Sequence, residues 1–136
     1  VEHPDLVTEV ARHGPVAVGL DARGVHLALH GWTRDSGLTL EAALEYFSDR
    51  VVDAFVVTRI EHDGTLDGPD LDGLSRVLAA TKVDVVASGG VGSLEDLRAL
   101  AHLGDAGRTL AGVVVGRALY DRAFDVVEAT AALGRP

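Results

Sequence analysis

The chain has 136 residues, 47% hydrophobic but only 4% aromatic, enough for one domain with a core built from Val, Leu and Ala. Its net charge of −9 argues against general nucleic-acid binding, and the absence of cysteine excludes a disulfide framework, a thiolate metal site and a cysteine nucleophile. No apolar run reaches the length of a membrane span and no basic-then-apolar leader opens the chain, so a soluble cytoplasmic protein without a membrane partner is the expectation.

In chain order, residues 4–13 read as a helix, with Pro4 in its first turn and Leu6, Val7, Val10 and Ala11 on one face. Gly14-Pro15 stops it. Residues 16–20 read as a buried strand ending at Asp21, and residues 25–29 alternate weakly enough for a short extra strand. Residues 31–37 read as a polar loop holding the only tryptophan, Trp32. Thr39 caps a helix carrying Leu40, Ala43, Leu44, Phe47 and Val51. A strand over 54–58 is followed by a long Asp- and Gly-rich loop over 59–69. Asp70 then caps a helix with Leu71, Leu74, Val77 and Leu78.

A strand over 83–88 leads into glycines and a helix over 93–103, where Ser93 and Asp96 make a capping box with Asp in place of Glu. Residues 104–108 read as a flexible connection. The fourth strand runs over 112–116. Helical pattern extends over 118–133, with a short turn around Tyr120 before the last helix, and Gly134 ends it. One leading helix and four strand–helix units, with no linker between them, predict a single α/β domain over 1–136 with a parallel sheet and right-handed crossovers. Four units are half of an eight-unit barrel. An open four-stranded sheet would keep two edges and part of its inner face uncovered, which a second half would repair.

The polar residues follow the strands, where α/β proteins carry their chemistry. Residues 85–92 (VVASGGVG) and 112–117 (GVVVGR) are apolar runs ending in glycine, each followed by a helical pattern. One such loop is explained by a sharp turn alone. Two in consecutive units favour a phosphate dianion held by backbone N–H groups at strand ends and helix N-termini. Asp21 is placed to be a general acid or base, or else caps the turn that follows it. Thr58 can bond a substrate hydroxyl or the reacting carboxylate. Asp63 can be a second acid or base or can order its loop, and Asp-Gly is also a common turn dipeptide. Trp32, after His30, can stack on a planar base or pack at an interface. Arg117 can pair with a phosphate, whereas Arg59, Arg76, Arg98 and Arg122 read as solvated. The histidines show no close metal-ligand spacing, so no metal is expected.

The set GLDARG, HGW, TRIEHDGTLDGPD, VVASGGVGS and VVVGRALY resembles the phosphoribosylformimino-aminoimidazole carboxamide ribotide isomerases of histidine biosynthesis. The bifunctional phosphoribosyl isomerase of actinobacteria, which also serves tryptophan biosynthesis, is a near neighbour. The resemblance runs over essentially the whole chain but over only the C-terminal half of the family's eight-unit barrel. It implies a cofactor-free Amadori rearrangement of a substrate with a phosphate at each end. It matches Asp21 to one of the family's two catalytic aspartates and Thr58 and Asp63 to further active-site positions. His30, Trp32, Gly64 and Thr65 fall on the substrate-binding loops. Ser88, Gly89, Gly90, Gly116 and Arg117 match one of two phosphate sites.

The other aspartate and the other phosphate site belong to the half not seen here, and Arg59 stands where the family usually has an acidic residue. The pathway's cyclase shares the DGT and SGG signals but carries Lys and Tyr where this chain has Leu66 and Pro69. The segment HGWTRDSG lacks the GG-Asp pattern of the bifunctional enzyme, which favours the single-substrate isomerase. The chain holds no methionine, so something N-terminal to Val1 is expected to be missing. A homodimer of half-barrels, or a complementing N-terminal half, is the expected partner. A phosphate-binding half without turnover is the alternative.

Overall fold

In a computed structural model, residues 3, 5–29, 31–48, 50–105 and 107–134 are described. The elements run α1 (Asp5–Val10), β1 (Ala17–Arg23), β2 (His26–Leu29), β3 (Arg34–Thr39), α2 (Leu40–Ser48), β4 (Ala54–Arg59) and α3 (Leu71–Ala80). They continue as β5 (Asp84–Ser88), α4 (Leu94–His102), β6 (Gly104–Asp105), β7 (Arg108–Thr109), β8 (Gly112–Val114), α5 (Arg117–Tyr120) and α6 (Val126–Ala132). The main sheet has six strands in the order β3-β2-β1-β4-β5-β8. β1, β4, β5 and β8 are parallel, and β2 and β3 form an antiparallel hairpin on one side of β1. The chain is therefore mixed α/β with a mostly parallel sheet.

Alternation along the strands sorts the core. Leu20 and Ala22 of β1, Phe55 and Val57 of β4, and Val85 and Ala87 of β5 are buried on the face that meets Leu44, Leu74, Leu78, Leu97 and Leu100 of the helices. The intervening residues, including Asp21, Val56, Thr58, Val86 and Ser88, lie on the opposite face and are only half-buried. Val114 on that face is 47% exposed. The hairpin meets β1 only at Ala22 and Arg23, so among the described residues the lower stretch of β1 and the outer side of β8 are open edges.

The helix starts follow their caps. The Thr39 hydroxyl accepts from Ala42 N, Asp70 accepts from Gly73 N, and Ser93 and Asp96 form the reciprocal capping box. Gly134 ends α6 with φ 66°. Two expectations need correction. The stretch 31–37 is not all loop, because β3 runs through Arg34–Thr39 and pairs with β2. Backbone pairing makes this strand, and without an apolar alternation it left no pattern to read. Residues 104–108 hold a short antiparallel pair, β6 with β7, rather than a flexible connection. A break before the last helix is present as expected, but it lies just past Tyr120: α5 ends there, the chain turns at Arg122 (φ 57°), and an Asp125–Glu128 capping box starts α6. α1 lies within the expected range but has no buried residue, and Pro4 lies outside the described residues.

β7 also staples the far end of α3. The Arg108 guanidinium donates to the carbonyls of Leu78 (3.0 Å) and Thr81, which the end of the helix cannot satisfy by itself, and to that of Val83 (2.8 Å) in the turn that follows. Arg108→Ala should lower the unfolding free energy by about 2–3 kcal/mol, because half-buried carbonyls lose charged donors. Urea titration followed by far-UV circular dichroism checks this, and Arg108→Lys should recover only part of the loss.

Candidate functional site

The parallel register brings polar residues near the strand ends into one row, although β1 does not stop at Asp21 as expected but continues to Arg23, where it pairs with β2. Asp21 pairs with Thr58, Thr58 with Ser88, and Ser88 with Val114. Neighbouring strands lie roughly 4.8 Å apart, so the row crosses the sheet in roughly 14 Å. All of these positions are on the face that the helices leave bare.

Trp32 is half-buried at the Asp21 end of the row, where its indole Nε1 donates to Asp21 Oδ2 at 2.8 Å. Arg23 Nη2 donates to the Trp32 carbonyl at 3.4 Å. His30 lies outside the described residues.

At the other end, Asp63, Gly64, Leu66, Ser88, Gly89, Gly90, Val91, Val114, Gly116 and Arg117 line a cleft of about 260 Å³. Gly89 and Gly90 have φ of 98° and 87°, values that a side chain would strain. A Cβ on Gly89 would stand 3.0 Å from the Arg59 carbonyl oxygen, and one on Gly90 would fall on the Gly68 carbonyl. The β4–α3 loop is thus laid directly on the β5–α4 loop, and Gly68 N donates to the Gly90 carbonyl at 3.0 Å. Among the described residues, the amides of Gly90, Val91, Gly116 and Arg117 donate to no protein acceptor. All four residues line the one cleft, and unpaired backbone amides are groups that can bind an anion. Arg117 Nη1 donates to the Gly64 carbonyl (2.7 Å) and its Nε to Asp121 (3.0 Å), so the side chain straps the two loops across the cleft.

Asp63, Gly64, Ser88, Gly89, Gly90, Gly116 and Arg117 therefore share one cleft, whereas Asp21 and Trp32 stand at the far end of the row. Thr65 does not line the cleft. Its hydroxyl donates to the His62 carbonyl (2.9 Å) and accepts from Asp67 N (3.2 Å), which orders the loop. The amides of Gly92 and Ser93, just before α4, are not free to face a phosphate. Gly92 N and Ser93 N both donate to Asp96 Oδ2 at 2.9 Å, so the helix consumes them in its own cap. The amide of Val91 and the left-handed Leu66 (φ 65°) were not singled out from the sequence. Only the position of Val91, one residue past the glycine pair, pointed to it.

Arg59 is the other correction. It is not solvated but 7% exposed. It lies on the helix side of β4, paired with Asp70 (Nη2–Oδ2 2.7 Å) and donating to the Gly24 carbonyl (2.7 Å). Its Nε has no hydrogen-bond partner among the described residues. The guanidinium therefore stays out of the row that Thr58 occupies, on the opposite face of the same strand.

Among the described residues no group of His, Asp and Glu is arranged to hold a metal ion, and no helix is long and apolar enough to cross a membrane. A family model described as "Histidine biosynthesis protein" matches residues 1–125. The chain is 46% identical over 136 residues to the 1-(5-phosphoribosyl)-5-((5-phosphoribosylamino)methylideneamino)imidazole-4-carboxamide isomerase of Synechococcus sp., an alignment covering 98% of the chain and 52% of the relative. It is 50% identical over 131 residues to phosphoribosyl isomerase A of Streptomyces coelicolor, covering 95% of the chain and 53% of the relative. A similarly named isomerase of Ruegeria sp. is 45% identical over 135 residues, covering 98% and 55%. The chain spans about half the length of the curated relatives it matches.

Proposed function

Because this chain belongs to the histidine biosynthesis protein family, we propose that it is one (βα)4 half of a TIM (βα)8 barrel that catalyses an isomerisation once a second half is in place. The reaction is a cofactor-free Amadori rearrangement of a bis-phosphorylated aminoaldose ribonucleotide to the aminoketose. A general acid protonates the ribose ring oxygen, and the ring opens to a protonated Schiff base at C1. A base removes the proton from C2, and the resulting enolamine takes a proton at C1 as the C2 hydroxyl becomes a ketone. Asp21 supplies one of the acid–base groups, and the second half supplies the other. Thr58 orients the reacting groups beside Asp21, Asp63 closes the cleft, and the amides of Gly90, Val91, Gly116 and Arg117 hold one phosphate. His30, Gly64 and Thr65 belong to the loops around the substrate.

The observation that carries this reading is the row Asp21–Thr58–Ser88 on a bare sheet face, running into an amide-lined cleft. The occupant of that face is a second half-barrel. The open edges of β1 and β8 are both parallel-type edges, and a two-fold axis along the barrel would set each against the other in a partner copy. A homodimer would thereby place two Asp21 carboxylates and two phosphate clefts around one mouth. A cytoplasmic location goes with this reading.

The test is turnover of the histidine-pathway aminoaldose by the purified chain, alone and mixed with the N-terminal half of the Streptomyces coelicolor relative. Asp21→Asn should lower kcat at least about a hundredfold. A folded chain that binds inorganic phosphate but gives no turnover in either preparation would leave the alternative, a binding half without catalysis. Turnover of the tryptophan-pathway aminoaldose as well would favour the bifunctional isomerase.

A further inference from the structure

We propose that Trp32 is the positioning residue for Asp21: its indole N–H holds Oδ2, so that proton transfer falls to Oδ1. This rests on the reading of Asp21 as an acid–base group. The contact is 2.8 Å long and spans 11 positions, from β1 to the β2–β3 turn, so it depends on how the hairpin docks and not on a local turn motif. Oδ1 accepts no hydrogen bond among the described residues.

The backbone supplies a second observation. Gly31 and Trp32 are both left-handed, with φ of 63° and 71°. Glycine tolerates this conformation, but a bulky aromatic residue there is an outlier that costs roughly 1–2 kcal/mol. Such strain persists only where the surroundings impose it. Here the loop is held from both sides. The β2–β3 hairpin is docked on the end of β1, and Arg23 donates to the Trp32 carbonyl. The result is to turn the indole edge toward Asp21.

An indole N–H is a donor only, so it can bind only an acceptor oxygen. A carboxyl group otherwise rotates freely, and a misoriented proton-transfer group loses much of its effect. Stacking on the substrate is a separate use of the same ring and has a separate signature. Lost stacking weakens binding, whereas lost orientation slows the chemical step.

The experiment uses the assembled barrel with Trp32→Phe, and with the Trp32 indole N–H replaced by sulfur through β-(3-benzothienyl)alanine. The sulfur isostere keeps the ring and its stacking and removes only the donor. The expected result is a fall in kcat of about tenfold in both, with KM for the isostere within about twofold. Trp32 is the only tryptophan, so its emission in the isolated chain should also shift in Asp21→Ala, which removes the acceptor. An isostere with unchanged kcat, or one with only a raised KM, overturns the proposal while Asp21→Asn still abolishes turnover. An emission spectrum indifferent to Asp21→Ala overturns it too. Full activity in Asp21→Asn, or no turnover at all, overturns the underlying reading and the proposal with it.

Discussion

Arg59→Ala is expected to lower the unfolding free energy of the chain by about 3 kcal/mol. The substitution removes one partner of a mostly buried ion pair and strands the other. Asp70 Oδ2 faces Arg59 at 2.7 Å, and the two side chains are only 9% and 18% exposed. Breaking such a pair from one side typically costs about 3–5 kcal/mol, and the residual exposure of Asp70 places this case at the low end. The Gly24 carbonyl loses its charged donor at the same time.

Arg59→Met with Asp70→Asn is the control. Asn keeps the N-cap that Asp70 Oδ1 provides to Gly73 N at 2.9 Å, and Met fills the volume of the guanidinium stem. This double variant should lie within about 1 kcal/mol of the parent, since replacing a whole buried pair is often neutral. Urea midpoints of the three proteins decide the matter. A single variant as stable as the parent would mean that the pair contributes nothing. Since Arg59 lies on the helix side of β4, the double variant should also leave phosphate binding unchanged.

Gly90→Ala is expected to abolish phosphate binding and to destabilise the chain by about 2 kcal/mol or more. The added methyl group would fall on the Gly68 carbonyl, and φ of 87° is closed to alanine without strain. Neither neighbour can yield, because both are backbone. The β4–α3 loop must therefore lift off the β5–α4 loop. That breaks the Gly68 N to Gly90 O bond and displaces the amides of Gly90 and Val91 from the cleft. Titration calorimetry with inorganic phosphate reads the first effect and thermal unfolding the second. Gly107→Ala, at a positive-φ glycine with open space around its Cβ position, separates backbone strain from the collision. It should cost about 1 kcal/mol and leave phosphate binding intact.

Much of this architecture is legible along the chain because its signals are local. The four parallel strands, the caps at Thr39, Asp70 and Ser93, and the stop at Gly134 each depend on residues within a turn or two of one another. Asp21, Thr58 and Ser88 could be named in advance because polar residues end apolar runs in each case. What the sequence did not reveal depends on partners far away. β3 exists because β2 pairs with it, and its own residues show no strand pattern. Arg59 looks solvated in isolation, but Asp70 and Gly24 surround it only after α3 and the β1–β2 turn have packed.

The sequence by itself determined the alternation of strands and helices, the family, and the residue types at the strand ends. These are written in hydrophobic period, capping chemistry and motif. Only the tertiary structure decided that Asp21, Thr58 and Ser88 form a single row, that Trp32 bonds to Asp21, and that the amides of Gly92 and Ser93 are spent on Asp96. Sheet register aligns residues dozens of positions apart, and a hydrogen bond goes to whichever acceptor packing brings within about 3 Å.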